Sequence, residues 1–142
     1  MTQELKNAKE TLENGGYTCA IVLGEMIHTD TRRGVAPLLA LLESGISFSG
    51  ASAADKVVGA GAAYLYVLLG IRELFASVIS IPAQKILIAH GIEVYADVTA
   101  EGIKNRAGDG TCPIELAVAN ARDAHDALKR IKARLKELSE GT

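Results

Sequence analysis

Ser52-Ala53-Ala54-Asp55-Lys56-Val57-Val58-Gly59-Ala60-Gly61-Ala62-Ala63-Tyr64-Leu65-Tyr66-Val67-Leu68-Leu69 is the stretch around which the rest of the chain must arrange itself. Its apolar run, residues 57–71, sits between Lys56 and Arg72. It is shorter than the roughly 20 residues a membrane-spanning helix needs. The reading is a buried central helix over residues 53–69. Ser52 and Asp55 form a serine-x-x-acid capping box at its head. Gly59 and Gly61 would each cost about 1 kcal/mol relative to alanine inside that helix, a cost tolerable where the helix backbone must lie close to a sheet.

On the N-terminal side, residues 2–14 place Leu5, Ala8 and Leu12 on one helical face, and Gly15-Gly16 ends that helix. Residues 17–23 are β-branched and apolar, a buried strand. Gly24-Glu25 suits a two-residue hairpin turn with glycine first, so residues 26–31 return as an antiparallel strand. Residues 34–43 form a helix with Pro37 in its first turn, and residues 47–52 a loop. On the C-terminal side, residues 73–80 and 93–98 read as strands, with a helix over 82–90 between them. Pro113 opens one long final helix to about Leu138. Strands alternating with helices predict an α/β fold, a three-layer α-β-α sandwich with a mixed sheet. The chain reads as one domain over residues 1–142.

The final helix carries Ala117, Ala121, Ala124, Leu128, Ile131, Leu135 and Leu138 in steps of four and three. That seam packs on the sheet or forms a homodimer contact. Lys129, Arg130, Lys132 and Arg134 read as a solvated face.

With 142 residues, 49% of them hydrophobic and 23% charged, the chain can bury a real core. A net charge of −2, 4% aromatics and no Trp disfavour nucleic acid as a partner. The start, Met-Thr-Gln-Glu-Leu-Lys, lacks the apolar core of a signal peptide, so a cytoplasmic location and no membrane partner are expected. Cys19 and Cys112 are too few for a disulfide framework or a thiolate zinc site. His28, His90 and His125 follow no metal-ligand spacing. No metal or cofactor is expected.

The densest chemistry lies in residues 105–115, Asn-Arg-Ala-Gly-Asp-Gly-Thr-Cys-Pro-Ile-Glu. Gly108 and Gly110 let backbone N–H groups approach a ligand. Arg106 can fork onto a phosphate or carboxylate, and Asn105 can read a base or ribose edge, while Asp109 shapes the turn. Cys112 takes the N-cap position before Pro113, where the helix field can ionise a thiol, and Glu115 answers from the third helical position. At the head of the central helix, Asp55 is a candidate general acid/base or nucleophile, and Lys56 can neutralise a phosphate or position it. The paired arginines of Asp30-Thr31-Arg32-Arg33 face an anion or simply water, with water the favoured reading.

The order helix, hairpin, helix, strand, helix, strand resembles the cytidine deaminase-like fold. Through residues 34–42, 52–63, 80–94 and 105–118, the chain more specifically resembles a small prokaryotic family of unknown function with that fold, domain-of-unknown-function family 1893. Zinc deaminases place histidine-alanine-glutamate at the head of the central helix and proline-cysteine-x-x-cysteine at the head of the next. By this resemblance the corresponding residues are Ala53-Ala54-Asp55 and Pro82-Ala83-Gln84-Lys85-Ile86. Only an acid and a proline persist, so the resemblance implies a fold without zinc-dependent deamination. It also implies a cleft that, in the related fold, holds a nucleoside.

The expected function is therefore a deaminase-like domain binding a nucleoside, nucleotide or related anionic metabolite as sensor or carrier. Asp55, Lys56, Asn105, Arg106 and Cys112 would line the site, with Ser52, Gly108, Gly110 and Glu115 shaping it. The alternatives are an enzyme using covalent chemistry at Asp55 or Cys112, and an interaction module acting through the final helix.

Overall fold

Glycine 59 divides the central stretch in two. In the computed structural model, which describes residues 1–105 and 107–140, Ser52–Val58 is a strand (β3) and only Ala60–Leu69 is helical (α3). The expected helix over 53–69 is thus corrected at its N-terminal half. Alanine favours helices in isolation, but here small side chains are needed on both faces of a central strand. Ala53 faces one buried cluster and Ala54 the other, and both are fully buried. Ser52 and Asp55 form no capping box. Ser52 Oγ donates to Glu73 Oε2 at 2.6 Å, and Asp55 Oδ1 accepts from Val57 N at 3.2 Å.

The remaining elements are α1 (Gln3–Gly15), β1 (Cys19–Leu23), β2 (Met26–Asp30), α2 (Ala36–Ser44), β4 (Glu73–Ser80), α4 (Ile81–Ala89), β5 (Glu93–Ala100), α5 (Pro113–Val118) and α6 (Ala124–Glu140). Among the described residues the sheet has five strands in the order β2-β1-β3-β4-β5. β1 is antiparallel to β2 and β3, whereas β3, β4 and β5 run parallel. The hairpin turn follows the sequence: Leu23 pairs with Met26 and Gly24 has φ of 59°, the left-handed backbone that glycine adopts freely.

Helix α1 covers one face of the sheet through Leu5, Ala8 and Leu12, against Ala20, Val22, Ala54 and Phe75. The other helices share the opposite cluster with Cys19, Ile21, Ala53 and Ala76. The result is the expected α-β-α sandwich with a mixed sheet. Among the described residues no helix is long and apolar enough to cross a membrane.

The single C-terminal helix expected from Pro113 onward is instead two. Helix α5 stops after Val118, and α6 starts at Ala124 behind a reciprocal cap. Asp126 N donates to Asp123 Oδ1 at 2.8 Å, while Arg122 N donates to Asp126 Oδ2 at 3.0 Å. The break lets α5 turn onto α3 while α6 lies across both. Of the heptad-like seam, Ala124 and Ile131 are buried, and Ala121, Leu128 and Leu135 pack on the core.

Gly59 and Gly61 make room for α5 rather than for the sheet. A Cβ on Gly59 would collide with the Glu115 carboxylate, and one on Gly61 would lie 2.7 Å from Ile114 Cγ2. The chain thereby brings α5 against the N-terminus of α3.

Candidate functional site

Between β3, the start of α2, the loop leading into α5 and the last turns of α6 lies a cleft of about 1210 Å³. Residues from both candidate segments line it: Asp55, Lys56 and Val57 from β3, and Asn105, Cys112 and Glu115 from the later segment. The parallel register and the β3–α3 turn carry the first segment to the end of the sheet where the second folds over. Thr18 ties a third segment to this end. Its carbonyl accepts from Lys56 N at 3.0 Å, and its Oγ1 donates to the carbonyl of Arg32 at 2.7 Å.

Asp55 lies half-buried within a chain of polar side chains. Tyr66, fully buried on α3, donates to Asp55 Oδ2 at 2.6 Å. Cys19 Sγ lies 3.4 Å from the same Tyr66 hydroxyl and stands opposite Asp55 in the β1/β3 register. Burial pushes the Asp55 carboxyl up to about 7, against the opposing pull of Tyr66 and the backbone N–H groups of Val57 and Lys56. Burial, reinforced by the Asp55 charge, pushes the Cys19 thiol up to about 12 and the Tyr66 phenol well above its ordinary range. Asp55 can therefore hold or release a proton near neutral pH, whereas Cys19 stays a thiol.

Glu115 does not cap its own helix. Its carboxylate accepts from Ala60 N at 2.6 Å and Gly61 N at 3.3 Å, the unpaired donors at the start of α3. Burial raises its pKa, opposed by those two N–H groups. Cys112 is the N-cap residue of α5 with no side-chain capping bond.

The cations gather at the same cleft. Arg32 forks onto Asp30, with its closest contact at 2.7 Å. Arg33, Lys56 and Lys104 also line the cleft, and none has a hydrogen-bonded or ionic side-chain partner among the described residues. The arginines read as facing water thus border the candidate site.

Other candidate residues lie apart or serve the local fold. Ser52 is fully buried at the other end of β3, bound to Glu73, which also accepts from Thr2 Oγ1. Asn105 reaches the cleft, but its side chain closes a turn, Nδ2 donating to Asp109 Oδ1 at 3.0 Å and Oδ1 accepting from Asp109 N at 3.2 Å. Gly108, with φ of 75°, and Gly110 belong to that turn and do not line the cleft. Arg106 lies outside the described residues. Tyr66 and Lys104 were not singled out from the sequence, and Cys19 is the buried residue its apolar strand implies, though beside Asp55. Only strand register places Cys19 opposite Asp55, and only the helix path places Tyr66 beneath it, so spacing carried no signal for either.

The head of the central helix is Gly59-Ala60-Gly61, not Ala53-Ala54-Asp55, so Asp55 does not occupy the position of the deaminase glutamate. The head of α4 is Ser80-Ile81-Pro82-Ala83, where Ser80 Oγ accepts from Ala83 N at 3.2 Å. Neither offers a thiolate or imidazole. Among the described residues no three His, Cys, Asp or Glu side chains come together to hold a metal ion. This donor set does not fit a zinc ion.

The family profile described as TM1506: Domain of unknown function (DUF1893) matches residues 7–135. The crystal structure of a DUF1893 family protein, TM1506 from Thermotoga maritima, superposes with a TM-score of 0.84 at 23% identity, over 96% of this chain and 91% of that one. The apo dCMP deaminase of cyanophage S-TIM5 gives a TM-score of 0.49 at 15% identity, over 68% of this chain and 99% of that one. A diaminohydroxyphosphoribosylaminopyrimidine deaminase/5-amino-6-(5-phosphoribosylamino)uracil reductase from Thermotoga maritima gives 0.42 at 15% identity, over 81% and 40%. No curated protein matches the sequence.

Proposed function

We infer that the chain, which belongs to the DUF1893 family of domains of unknown function, binds a nucleoside, nucleotide or related anionic metabolite in this cleft. The observation that carries the reading is the meeting of residues 55–57 with residues 103–115 around one cavity bordered by Arg33, Lys56 and Lys104. Unpartnered cations beside a concave, mostly apolar wall are the ordinary means of holding a small anion. Sensor or carrier is the role that fits. Both oxygens of Glu115 are engaged by backbone N–H groups, and those of Asp55 by Tyr66 and Val57. These carboxylates support the cleft walls.

Thermal melting against a panel of nucleosides, nucleotides and small organic phosphates tests this. A ligand present at 100 times its Kd stabilises by about 2.7 kcal/mol, a rise of roughly 5–10 °C for a domain of this size. Lys56→Glu combined with Arg33→Glu should abolish the rise without lowering the melting point of the free protein by more than about 2 °C. No shift with any ligand at millimolar concentration overturns the reading.

A further inference from the structure

The walls of the cleft say more about its guest than the charges at its rim. Val35, Ile103, Ile114, Leu135 and Leu138 bring aliphatic side chains from four separate segments to one cavity. No Phe, Tyr or His is among the described residues lining it. Sites that hold a flat base commonly stack it on an aromatic ring, and none is offered here. Leu138, on the last turns of α6, is 39% exposed although it belongs to this apolar wall. The cavity of about 1210 Å³ exceeds the few hundred Å³ at the small end of ligand pockets. Its cations belong to segments tied together through Thr18 or to the loop opposite: Arg33 follows Arg32, Lys56 lies on β3, and Lys104 precedes α5.

We propose that the ligand is a soluble amphipathic anion, a single aliphatic chain carrying a phosphate or carboxylate, with its head at Arg33, Lys56 and Lys104 and its chain along Ile103, Leu135 and Leu138. This rests on the reading that the cleft holds an anion, and narrows it. An aliphatic body gains about 0.8 kcal/mol for each buried methylene, about fourfold in affinity, and asks for no aromatic partner. The cationic rim selects the sign of the head group.

Isothermal titration of the full chain with octyl phosphate, decyl phosphate, decyltrimethylammonium, CMP and inorganic phosphate, all below micelle formation, tests this. Decyl phosphate should bind roughly 15-fold tighter than octyl phosphate, while decyltrimethylammonium and inorganic phosphate should bind at least 30-fold more weakly, on the order expected for losing the head or the chain. Leu138→Glu, at a half-exposed position, should weaken decyl phosphate on the order of fivefold or more and leave the melting point of the free protein unchanged. Equal binding of the phosphate and the ammonium compounds, or no dependence on chain length, overturns the proposal. Binding of CMP without decyl phosphate overturns it and leaves the anion-binding reading standing. Binding of none of the five overturns both. Co-sedimentation with phosphatidylglycerol vesicles would show that the same chemistry serves a membrane, and would overturn the soluble ligand.

Discussion

Replacing Asp55 by Asn tests the electrostatics of the cleft floor. The Asp55 pKa rises from 3.8 to about 7 on folding, mainly through burial. Because the folded value is the higher one, the native state keeps a proton that the unfolded chain has released between about pH 4 and 7. The stability from this group is complete below about pH 4 and is lost as the pH climbs through about 7. Such a rise corresponds to about 4 kcal/mol. The carboxyl is only half-buried, and water in the cleft screens its charge, so we expect about half, roughly 2 kcal/mol. Asparagine cannot ionise and escapes this loss. It also supplies one acceptor oxygen where Asp55 supplies two, to Tyr66 and Val57, a penalty of about 1 kcal/mol that does not vary with pH. Urea unfolding of both proteins at pH 4.5 and 8.5 separates the two effects. The stability of Asp55→Asn relative to the parent should improve by about 2 kcal/mol between the two pH values. Glu115, whose pKa is also raised, titrates in both proteins and cancels. A relative stability constant to within about 0.5 kcal/mol across that range would refute the account.

Gly61→Ala should destabilise the protein by about 1–3 kcal/mol in the same assay, although alanine improves helix propensity by about 1 kcal/mol. The new methyl would meet Ile114 Cγ2, a branched and buried neighbour, at 2.7 Å; a more stable variant would show that α5 does not press on α3. Iodoacetamide followed by peptide mass spectrometry should label half-buried Cys112 and spare Cys19, which is 2% exposed with its thiol pushed up to about 12. Labelling of Cys19 in the native protein at a rate comparable to Cys112 would contradict the buried Cys19–Tyr66–Asp55 chain.

Local pattern was enough for the segments whose neighbours ask nothing unusual of them. Strand β4, the β1–β2 hairpin with Gly24 in its turn, and α1 with Leu5, Ala8 and Leu12 inward follow from periodicity and turn chemistry alone. The α/β class was legible for the same reason, and the chemistry-bearing residues near positions 55 and 112 stood out by residue type. Residues 52–58 were not legible, because alanine and serine satisfy a helix locally and only the hydrogen-bonding edges of β1 and β4 make them a strand. The break between α5 and α6 did leave a signal, Asp123 and Asp126 three apart, but apolar spacing ran through it unbroken.

The α/β class, the opening helix and hairpin, and the charged and reactive residue types near positions 55 and 112 were written in the chain itself, since each depends on residue identity or on neighbours within a few positions. Which of those side chains face one another was settled only by the packed molecule. Asp55 meets Tyr66 and Cys19, and Glu115 reaches the start of α3, through contacts between residues distant in sequence, whose existence depends on strand register and on how closely one helix backbone can approach another.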